Sequence, residues 1–392
     1  MEENIRKILF VTGARSEYDI MYPVLELLQQ RRDVALKLVV TGAHLSDLYG
    51  KTVRNIEKDG FEIADRIYNL IGTDDKVGRI VGIGTQINGL AQCFIREKPD
   101  LVVVVGDREE AISVTMTAAY LSIPVAHLAG GDVANDGNID NAVRYAASKF
   151  AHLHFTFLHK HAEVLRLLGE EDFRIYNLGN PALDKFVNCD WMKKEDILPV
   201  KEFNITNEPY VVVIQHPIIS ESADAGSQIE VTLEAIRETG YKCFINYPNS
   251  DAGNFAIIEK INEYANIFPD QFYLFRNLDR LNYINLLRYA GCLIGNSSSG
   301  IIEAPSIGLP VVNVGTRQRE RFNAGNVIYT DYNKSEIYKA IVTSMTDVEY
   351  RNYVKQLVNP YGDGNSAQKI ADVLSTVNLD DKLVYKNITY KL

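Results

Sequence analysis

The sequence lacks the features that mark several classes of protein. No apolar run approaches the roughly 20 residues that a membrane-spanning helix needs. The formal net charge of −10 gives no overall basic character for binding nucleic acid or an anionic membrane, so we expect neither partner. The first residues lead into a predicted strand without the apolar stretch of a signal peptide, and from this we expect a cytoplasmic protein.

Cysteine is scarce and irregularly spaced. No CxxC pair occurs among the four cysteines, which are Cys93, Cys189, Cys243 and Cys292. Reduced, buried thiols are therefore expected, since Cys243 and Cys292 lie in apolar runs. A cluster of four histidines at positions 152–161 has no cysteine at ligand spacing, which favours packing roles over a zinc site. We expect no metal and no other cofactor.

Short runs rich in valine, isoleucine and leucine alternate with helix-compatible stretches along the whole chain. In the first half these runs are 7–13, 36–41, 101–107, 124–128, 154–158 and 174–178. After a polar stretch the pattern restarts with the runs 210–214, 242–246, 271–275, 292–295, 310–314 and 327–329. The fully apolar residues 101–105 indicate a strand that is buried on both faces, as in a parallel sheet covered by helices. We predict an α/β protein with two doubly wound, Rossmann-like domains, 1–180 and 181–364.

Polar residues directly after each predicted strand are the candidate site residues, because open parallel sheets bind ligands beyond the carboxyl ends of their strands. Arg15 follows the first strand and could grip a phosphate with its forked donors, or could pair with Glu17 or Asp19 at the surface. Asp107 follows the buried run and could be a base held by Arg108, or the two could be structural.

The loop after the next strand carries more carboxylates. Paired glycines precede Asp132, which suggests main chain brought close to a ligand. Asp140 lies just before a predicted helix, 142–149, that bears Arg144. The alternative role for Asp140 is therefore that of an N-cap.

The second half contains the strongest local signal, Gly295-Asn296-Ser297-Ser298-Ser299-Gly300. A strand ends at Gly295 and a helix is predicted to follow, so first-turn N–H groups without internal partners could bind an anion together with the hydroxyls. Glu303 would face the same ligand and suits ribose hydroxyls. Three further candidates follow other strands of this half and are His216, Asn249 and Arg317.

Seven segments together resemble a known family. They are TGARSEYD at 12–19, GDREE at 106–110, HLAGGD at 127–132, NID at 138–140, QHP at 215–217, GNSSSGIIEAPSIGLP at 295–310 and GTRQRER at 315–321. In this order they resemble the hydrolysing UDP-N-acetylglucosamine 2-epimerases of sialic-acid biosynthesis. That resemblance implies the GT-B fold, with two parallel sheets facing a central cleft that holds the sugar. It also implies that the C-terminal stretch, about 365–392, packs back on the first domain, and that the enzyme is a homodimer or a dimer of dimers.

The resemblance also implies roles for individual residues. The ribose would contact Glu303, and UDP would be bound by Arg15, Arg108, His216, Asn249, Ser297, Ser298, Ser299 and Arg317. Catalysis would fall to Asp107 and Asp140 as acid and base, with Asp132 and His216 assisting. Relatives often carry a glutamate within the HxxGG segment, where this chain has Ala129. Either Asp132 or Asp140 then takes on more of the proton transfer, or that glutamate is dispensable here.

The reaction that the resemblance implies has two steps. A carboxylate removes the C2 proton while UDP leaves C1, and water then adds to the resulting 2-acetamidoglycal to release N-acetylmannosamine. Within the family the alternatives are a diacetamido-trideoxy sugar as substrate and a non-hydrolysing epimerase. Outside it, the alternatives are a GT-B glycosyltransferase and a nucleotide-sugar sensor without catalysis.

Overall fold

The computed structural model describes residues 5–71, 76–133, 139–248, 251–276, 278–387 and 389. Its strands are β1 (Arg6–Thr12), β2 (Val34–Thr41), β3 (Ile63–Ile67), β4 (Leu101–Val105), β5 (Val125–Leu128), β6 (Leu153–Thr156), β7 (Ile175–Asn177), β8 (Tyr210–Ile214), β9 (Lys242–Asn246), β10 (Phe272–Phe275), β11 (Cys292–Gly295), β12 (Val311–Val314) and β13 (Val327–Thr330). Its helices are α1 (Arg15–Gln29), α2 (Val53–Lys58), α3 (Lys76–Glu97), α4 (Glu109–Tyr120), α5 (Asp140–Phe150), α6 (His159–Leu167), α7 (Ala182–Asn188), α8 (Leu198–Glu202), α9 (Ala225–Thr239), α10 (Asn254–Ile267), α11 (Arg280–Tyr289), α12 (Ser299–Ile302), α13 (Lys334–Thr346), α14 (Val348–Lys355), α15 (Ser366–Thr376) and α16 (Asp381–Val384).

The chain divides into two compact units. Unit 1 comprises the described residues before 134, from 139 to 185, and from 364 onward; unit 2 comprises those from 186 to 363. The parallel sheet of unit 1 has the strand order β3-β2-β1-β4-β5-β6-β7, and that of unit 2 has the order β10-β9-β8-β11-β12-β13. Both orders reverse direction in the middle, which confirms the predicted fold class of two doubly wound, Rossmann-like α/β sheets.

The core of each unit follows from the apolar runs of the sequence. Every residue of β4 and of β8 is buried, as expected for strands covered on both faces by helices. One strand of the described chain was missed, β3, which lies at the edge of its sheet and is mostly half-buried. Its sequence, IADRI, contains two charged residues, so it lacks the hydrophobic pattern by which the other strands were found.

The C-terminal helices belong to unit 1. Helix α15 packs against α1, and the Arg6 guanidinium donates to the carbonyls of Leu374 and Val377 at its end. At its start, the Asp184 carboxylate accepts hydrogen bonds from the amides of Ser366 and Ala367, at 3.0 and 2.7 Å. Asp184 thus satisfies two amides that a helix N-terminus leaves without internal partners.

The four cysteines are free thiols; three are buried, whereas Cys189 is half-buried. Within the described part of the chain, no helix is long and apolar enough to cross a membrane.

Candidate functional site

In unit 1 the sheet reverses its strand order between β1 and β4, and the loops after these two strands carry predicted site residues. The loop after β1 is shaped by Glu17, whose carboxylate accepts from the Gly13 amide at 2.8 Å and from the Ala14 amide at 3.3 Å. This capping lets α1 begin at Arg15, directly after the loop. A Cβ at Gly13 would lie 1.8 Å from Oε1 of Glu110, so a larger residue there would displace the Glu110 side chain.

Glu17 and Glu110 form a buried acidic pair beneath these loops. Burial, followed by repulsion from Glu110, raises the pKa of Glu17. Burial likewise raises the pKa of Glu110. Burial therefore favours the protonated form of these carboxyl groups and a structural role for them, because two desolvated carboxylates repel each other.

Arg15 pairs with Asp19 one turn along α1, at 3.2 Å, and both side chains are about one-third exposed. This is the surface pairing that the sequence analysis gave as the alternative. Such exposed pairs contribute little to stability, so a phosphate could take over the guanidinium at small cost. Phosphate binding by Arg15 and by the exposed Arg108 therefore stays a prediction.

The partner of Asp107 is Arg144 of α5, and this corrects the pairing with Arg108 considered from the sequence. Arg144 is buried; one terminal nitrogen donates to Oδ2 of Asp107 and the other to the carbonyl of Asp132, at 2.7 Å. The Asp107 side chain is 26% exposed. A buried guanidinium thus joins two of the predicted catalytic positions, while Oδ1 of Asp107 points to no partner among the described residues.

Asp132 also contacts a histidine that the sequence analysis assigned to packing. His161, at the start of α6, lies with Nε2 at 3.3 Å from Oδ1 of Asp132. A Cβ at Gly131 would lie 2.1 Å from the carbonyl oxygen of His161, so this glycine is explained by contact with α6. That the paired glycines also bring main chain close to a ligand stays a prediction.

Asp140 is the first residue of α5, one turn before Arg144, and it does not precede the helix as predicted. The N-cap position belongs to Ile139, and no side chain caps the helix there. The N-cap alternative for Asp140 is thus wrong, because the helix begins two residues earlier than its apolar pattern indicated. Nearby, Ala129 adopts a left-handed conformation, φ 65°, of the kind that is concentrated at functional sites.

In unit 2 the strand order reverses between β8 and β11, and a single buried side chain joins the loops after these strands. The side-chain amide of Asn296 accepts from the His216 amide at 2.7 Å and donates to the His216 carbonyl at 2.8 Å. The main-chain carbonyl of Asn296 accepts from Arg317 at 3.0 Å and from Gln318 at 3.2 Å. Asn296 thereby brings together residues that follow three neighbouring strands.

Gly295 makes this junction sterically feasible. Its φ is 125°, and a Cβ there would lie 2.3 Å from the carbonyl oxygen of Ile214 at the end of β8. Any other residue would push the two strand ends apart.

The serine turn differs from the predicted anion site in one respect. Helix α12 is only four residues long, and its first amides already have partners: Ser299 N donates to the Ser297 hydroxyl, Gly300 N to the Ser297 carbonyl and Ile301 N to the Ser298 carbonyl. The tight turn uses these donors itself, so the expectation that first-turn N–H groups lack internal partners was wrong for these three amides. The half-buried Ser297 and Ser298 remain the candidates for contacting a phosphate.

Ser299 connects the turn to Glu303. Its hydroxyl donates to the Glu303 carboxylate and lies 2.9 Å from the hydroxyl of Tyr283. Because an ionised carboxylate can only accept, Ser299 must give its proton to Glu303, and Tyr283 then donates to Ser299. Ser299 therefore orients Glu303 rather than standing open to solvent.

His216 is neutral in this environment. Burial, with a smaller contribution from Arg317, lowers its pKa to about 3. Its imidazole can therefore act as a hydrogen-bond donor to a phosphate at neutral pH, while the positive charge comes from Arg317. The predicted ligand Asn249 lies outside the described residues. In the same unit, the Arg276 guanidinium lies 3.8 Å from the ring centroid of Tyr247.

Sequence reasoning missed Arg144, His161 and Asn296 as site residues. Arg144 had a usable signal, since it follows Asp140 by four residues on one helix face. Among the described residues, no three side chains of His, Cys, Asp or Glu lie together as a metal site would require.

Known proteins match this sequence over nearly the whole chain. The sequence profile of the family described as UDP-N-acetylglucosamine 2-epimerase matches residues 26–375. A Legionella pneumophila protein named UDP-N,N'-diacetylbacillosamine 2-epimerase (hydrolyzing) is 34% identical over 98% of this chain and 100% of that protein. A Campylobacter jejuni protein named GDP/UDP-N,N'-diacetylbacillosamine 2-epimerase (hydrolyzing) is 32% identical over 84% and 85%.

The fold is also that of a solved structure. The chain resembles the Neisseria meningitidis UDP-GlcNAc 2-epimerase, whose crystal structure has UDP-GlcNAc bound, with a TM-score of 0.78 and 20% identity. The similarity covers 94% of this chain and 99% of that one, and it confirms the GT-B-like fold class.

Proposed function

The chain belongs to the UDP-N-acetylglucosamine 2-epimerase family, and from this premise we propose that it is a hydrolysing 2-epimerase of a UDP-linked 2-acetamido sugar. It would convert the sugar nucleotide and water into UDP and the free manno-configured sugar. Of the substrates considered, we favour UDP-N,N'-diacetylbacillosamine, because the relatives at 34% and 32% identity carry that name. UDP-N-acetylglucosamine is the second candidate, because the family description names it.

The observation that carries the proposal is the buried Arg144 of unit 1, which forms hydrogen bonds at two predicted catalytic positions. Asp107 and the Asp132 main chain are held by the buried Arg144, and Asp140 lies one turn before it on α5. Removal of one proton and delivery of another on opposite faces of a sugar needs more than one acid–base group. A glycosyltransferase with this fold would leave the C2 hydrogen in place and would not need the second acid–base group.

The first step would break the C2–H and C1–O bonds. Asp107 accepts the C2 proton through Oδ1, the C–H electrons form the C1=C2 double bond, and UDP leaves with the C1–O electrons. The C2 hydrogen is not acidic, so stabilising the leaving diphosphate must lower the barrier. We assign that role to the neutral His216 as donor, to Arg317 as cation and to Ser297 and Ser298 as hydrogen-bond donors.

The second step would hydrate the glycal. Water adds its hydroxyl to C1, and a proton reaches C2 from the face opposite to that from which the first left, which gives the manno configuration. Asp132 and Asp140 are our candidates for this proton transfer, and Asp132 has His161 as a partner for its carboxylate. UDP contacts by Arg15, Arg108 and Asn249, ribose contacts by Glu303, and a homodimer or dimer of dimers remain predictions.

The test is UDP release without any acceptor. The purified protein is incubated with UDP-N,N'-diacetylbacillosamine and, separately, with UDP-N-acetylglucosamine, and free UDP and free sugar are quantified. We expect both products in equal amounts, with the higher kcat/KM for the diacetamido substrate. Epimerised sugar still attached to UDP would instead indicate a non-hydrolysing epimerase. No release from either substrate would refute the proposal.

A further inference from the structure

Gly106, the residue before Asp107, forms hydrogen bonds with β5 through both its amide and its carbonyl. Gly106 has φ 91°; its amide donates to the Leu128 carbonyl at 3.0 Å, and its carbonyl lies 2.7 Å from Nε2 of His127. A left-handed glycine at the end of a strand is a flexible point in the main chain. The two hydrogen bonds with neighbouring residues of β5 fix the conformation of Gly106.

The tautomer of His127 follows from these contacts. A carbonyl oxygen only accepts, so Nε2 of His127 carries the proton that it donates to Gly106. His127 is fully buried, and this burial lowers its pKa to about 3, so the ring is neutral. Nδ1 must then accept, and the Ser148 hydroxyl, 3.2 Å away, donates to it.

Ser148 lies on α5 one turn after Arg144, and both are buried. Helix α5 therefore reaches the Asp107 turn at two points: Arg144 binds the carboxylate, and Ser148 acts through His127 on the preceding carbonyl. A Cβ at Gly130 would lie 3.0 Å from Oγ of Ser148 and 3.4 Å from Nδ1 of His127. Space around this chain of hydrogen bonds is thus kept free by a glycine.

We propose that His127 and Ser148 are positioning residues, which fix the main chain at Gly106 so that Asp107 keeps one orientation relative to α5. The inference rests on the proposed function, in which Asp107 takes the C2 proton and α5 carries Asp140. Neither residue would touch the substrate. Their effect should appear in the proton-transfer step and not in UDP binding, since the phosphate contacts that we assign to His216, Arg317, Ser297 and Ser298 all lie in unit 2.

Two substitutions at His127 distinguish the effect of its hydrogen bond from the effect of its size. His127→Gln keeps an N–H donor in reach of the Gly106 carbonyl, whereas His127→Leu keeps an apolar side chain of similar size without a donor. A small misplacement of a catalytic group can cost about 100-fold in rate. We expect kcat of His127→Leu to fall about 100-fold with KM and the UDP dissociation constant within about threefold of wild type, and His127→Gln to recover at least about tenfold of the loss.

Serine substitutions give an independent test if His127→Leu does not fold. Ser148→Ala removes only the hydroxyl and should lower kcat about tenfold. Its matched control is Ser375→Ala on α15, where a buried serine hydroxyl donates to the carbonyl of Ala371 in its own helix, and kcat should not change.

The outcomes are distinct. Equal kcat for the leucine and glutamine variants, or a loss of UDP affinity in parallel with kcat, would overturn the positioning role and leave the proposed function standing. Equal kcat for Ser148→Ala and Ser375→Ala would do the same. If the wild-type protein releases no UDP from either sugar nucleotide, the proposed function and this inference both fail.

Discussion

Asn296→Ala is expected to weaken UDP binding because Asn296 holds the loop that carries His216. The variant loses two hydrogen bonds of 2.7 and 2.8 Å, and it leaves a main-chain amide and carbonyl of His216 without their buried partner. A net hydrogen bond is worth about 1 kcal/mol, and an unsatisfied buried group costs about 1–3 kcal/mol, so we expect about 2–4 kcal/mol of lost unfolding free energy.

Asn296→Ala should also weaken UDP binding, because it displaces the His216 imidazole. A hydrogen bond from His216 to a charged phosphate is worth about 1.5–3 kcal/mol, so its misplacement should weaken UDP binding roughly 10- to 100-fold. Titration calorimetry with UDP measures the affinity, and urea unfolding measures the stability.

Asn285→Ala is the matched control. Asn285 is also a fully buried asparagine of unit 2, and it bonds the main chain at Met192, Asp190 and Leu281, none of which follows a strand. We expect it to lose comparable stability and to keep its UDP affinity. If both variants bind UDP equally well, or lose affinity equally, the assignment of the nucleotide to the Asn296 junction is refuted.

Three further predictions concern unit 1. Asp107→Asn should bind UDP as the wild type does and lose about 10²–10⁴-fold in kcat, and a kcat within tenfold of wild type would exclude it as the base. Burial opposes ionisation of Glu170, but the hydrogen bond from His154 and the charge of Lys386 outweigh it and lower its pKa from 4.5 to about 2. The lowered pKa of Glu170 contributes about 3 kcal/mol to the unfolding free energy above pH 4.5, and this contribution is lost as the pH falls toward 2. The unfolding free energy of Glu170→Gln, measured with urea, should therefore depend less on pH between 4.5 and 2 than that of the wild type. Asp184→Ala should lower the unfolding free energy by about 1–2 kcal/mol through lost capping of α15, and an unchanged thermal midpoint would contradict this.

The fold could be read from the sequence wherever burial alone determines the pattern. The strand β4 is apolar throughout because helices cover both of its faces, and its prediction was confirmed. The edge strand β3 was missed, since its half-exposed positions tolerate Asp65 and Arg66. The start of α5 was predicted two residues too late, because its N-cap residue, Ile139, has no capping side chain that the sequence could reveal.

The sequence predicts which strand ends carry the candidate site, but it does not predict which side chains contact each other there. The motifs after β1, β4, β8 and β11 lie at the two points of strand-order reversal, where α/β sheets bind ligands. Which side chains meet there depends on how the following helices pack. Neighbouring positions in sequence suggested Arg108 as the partner of Asp107, whereas packing of α5 makes it Arg144.

The central claim is that UDP leaves by elimination across C1 and C2, and solvent deuterium tests it most directly. The wild-type protein is incubated in D₂O with UDP-N,N'-diacetylbacillosamine or UDP-N-acetylglucosamine, without an acceptor, and the released sugar is analysed by NMR and mass spectrometry. We expect free UDP and a manno-configured sugar that carries one deuterium at C2. Release of UDP with protium retained at C2 would contradict it.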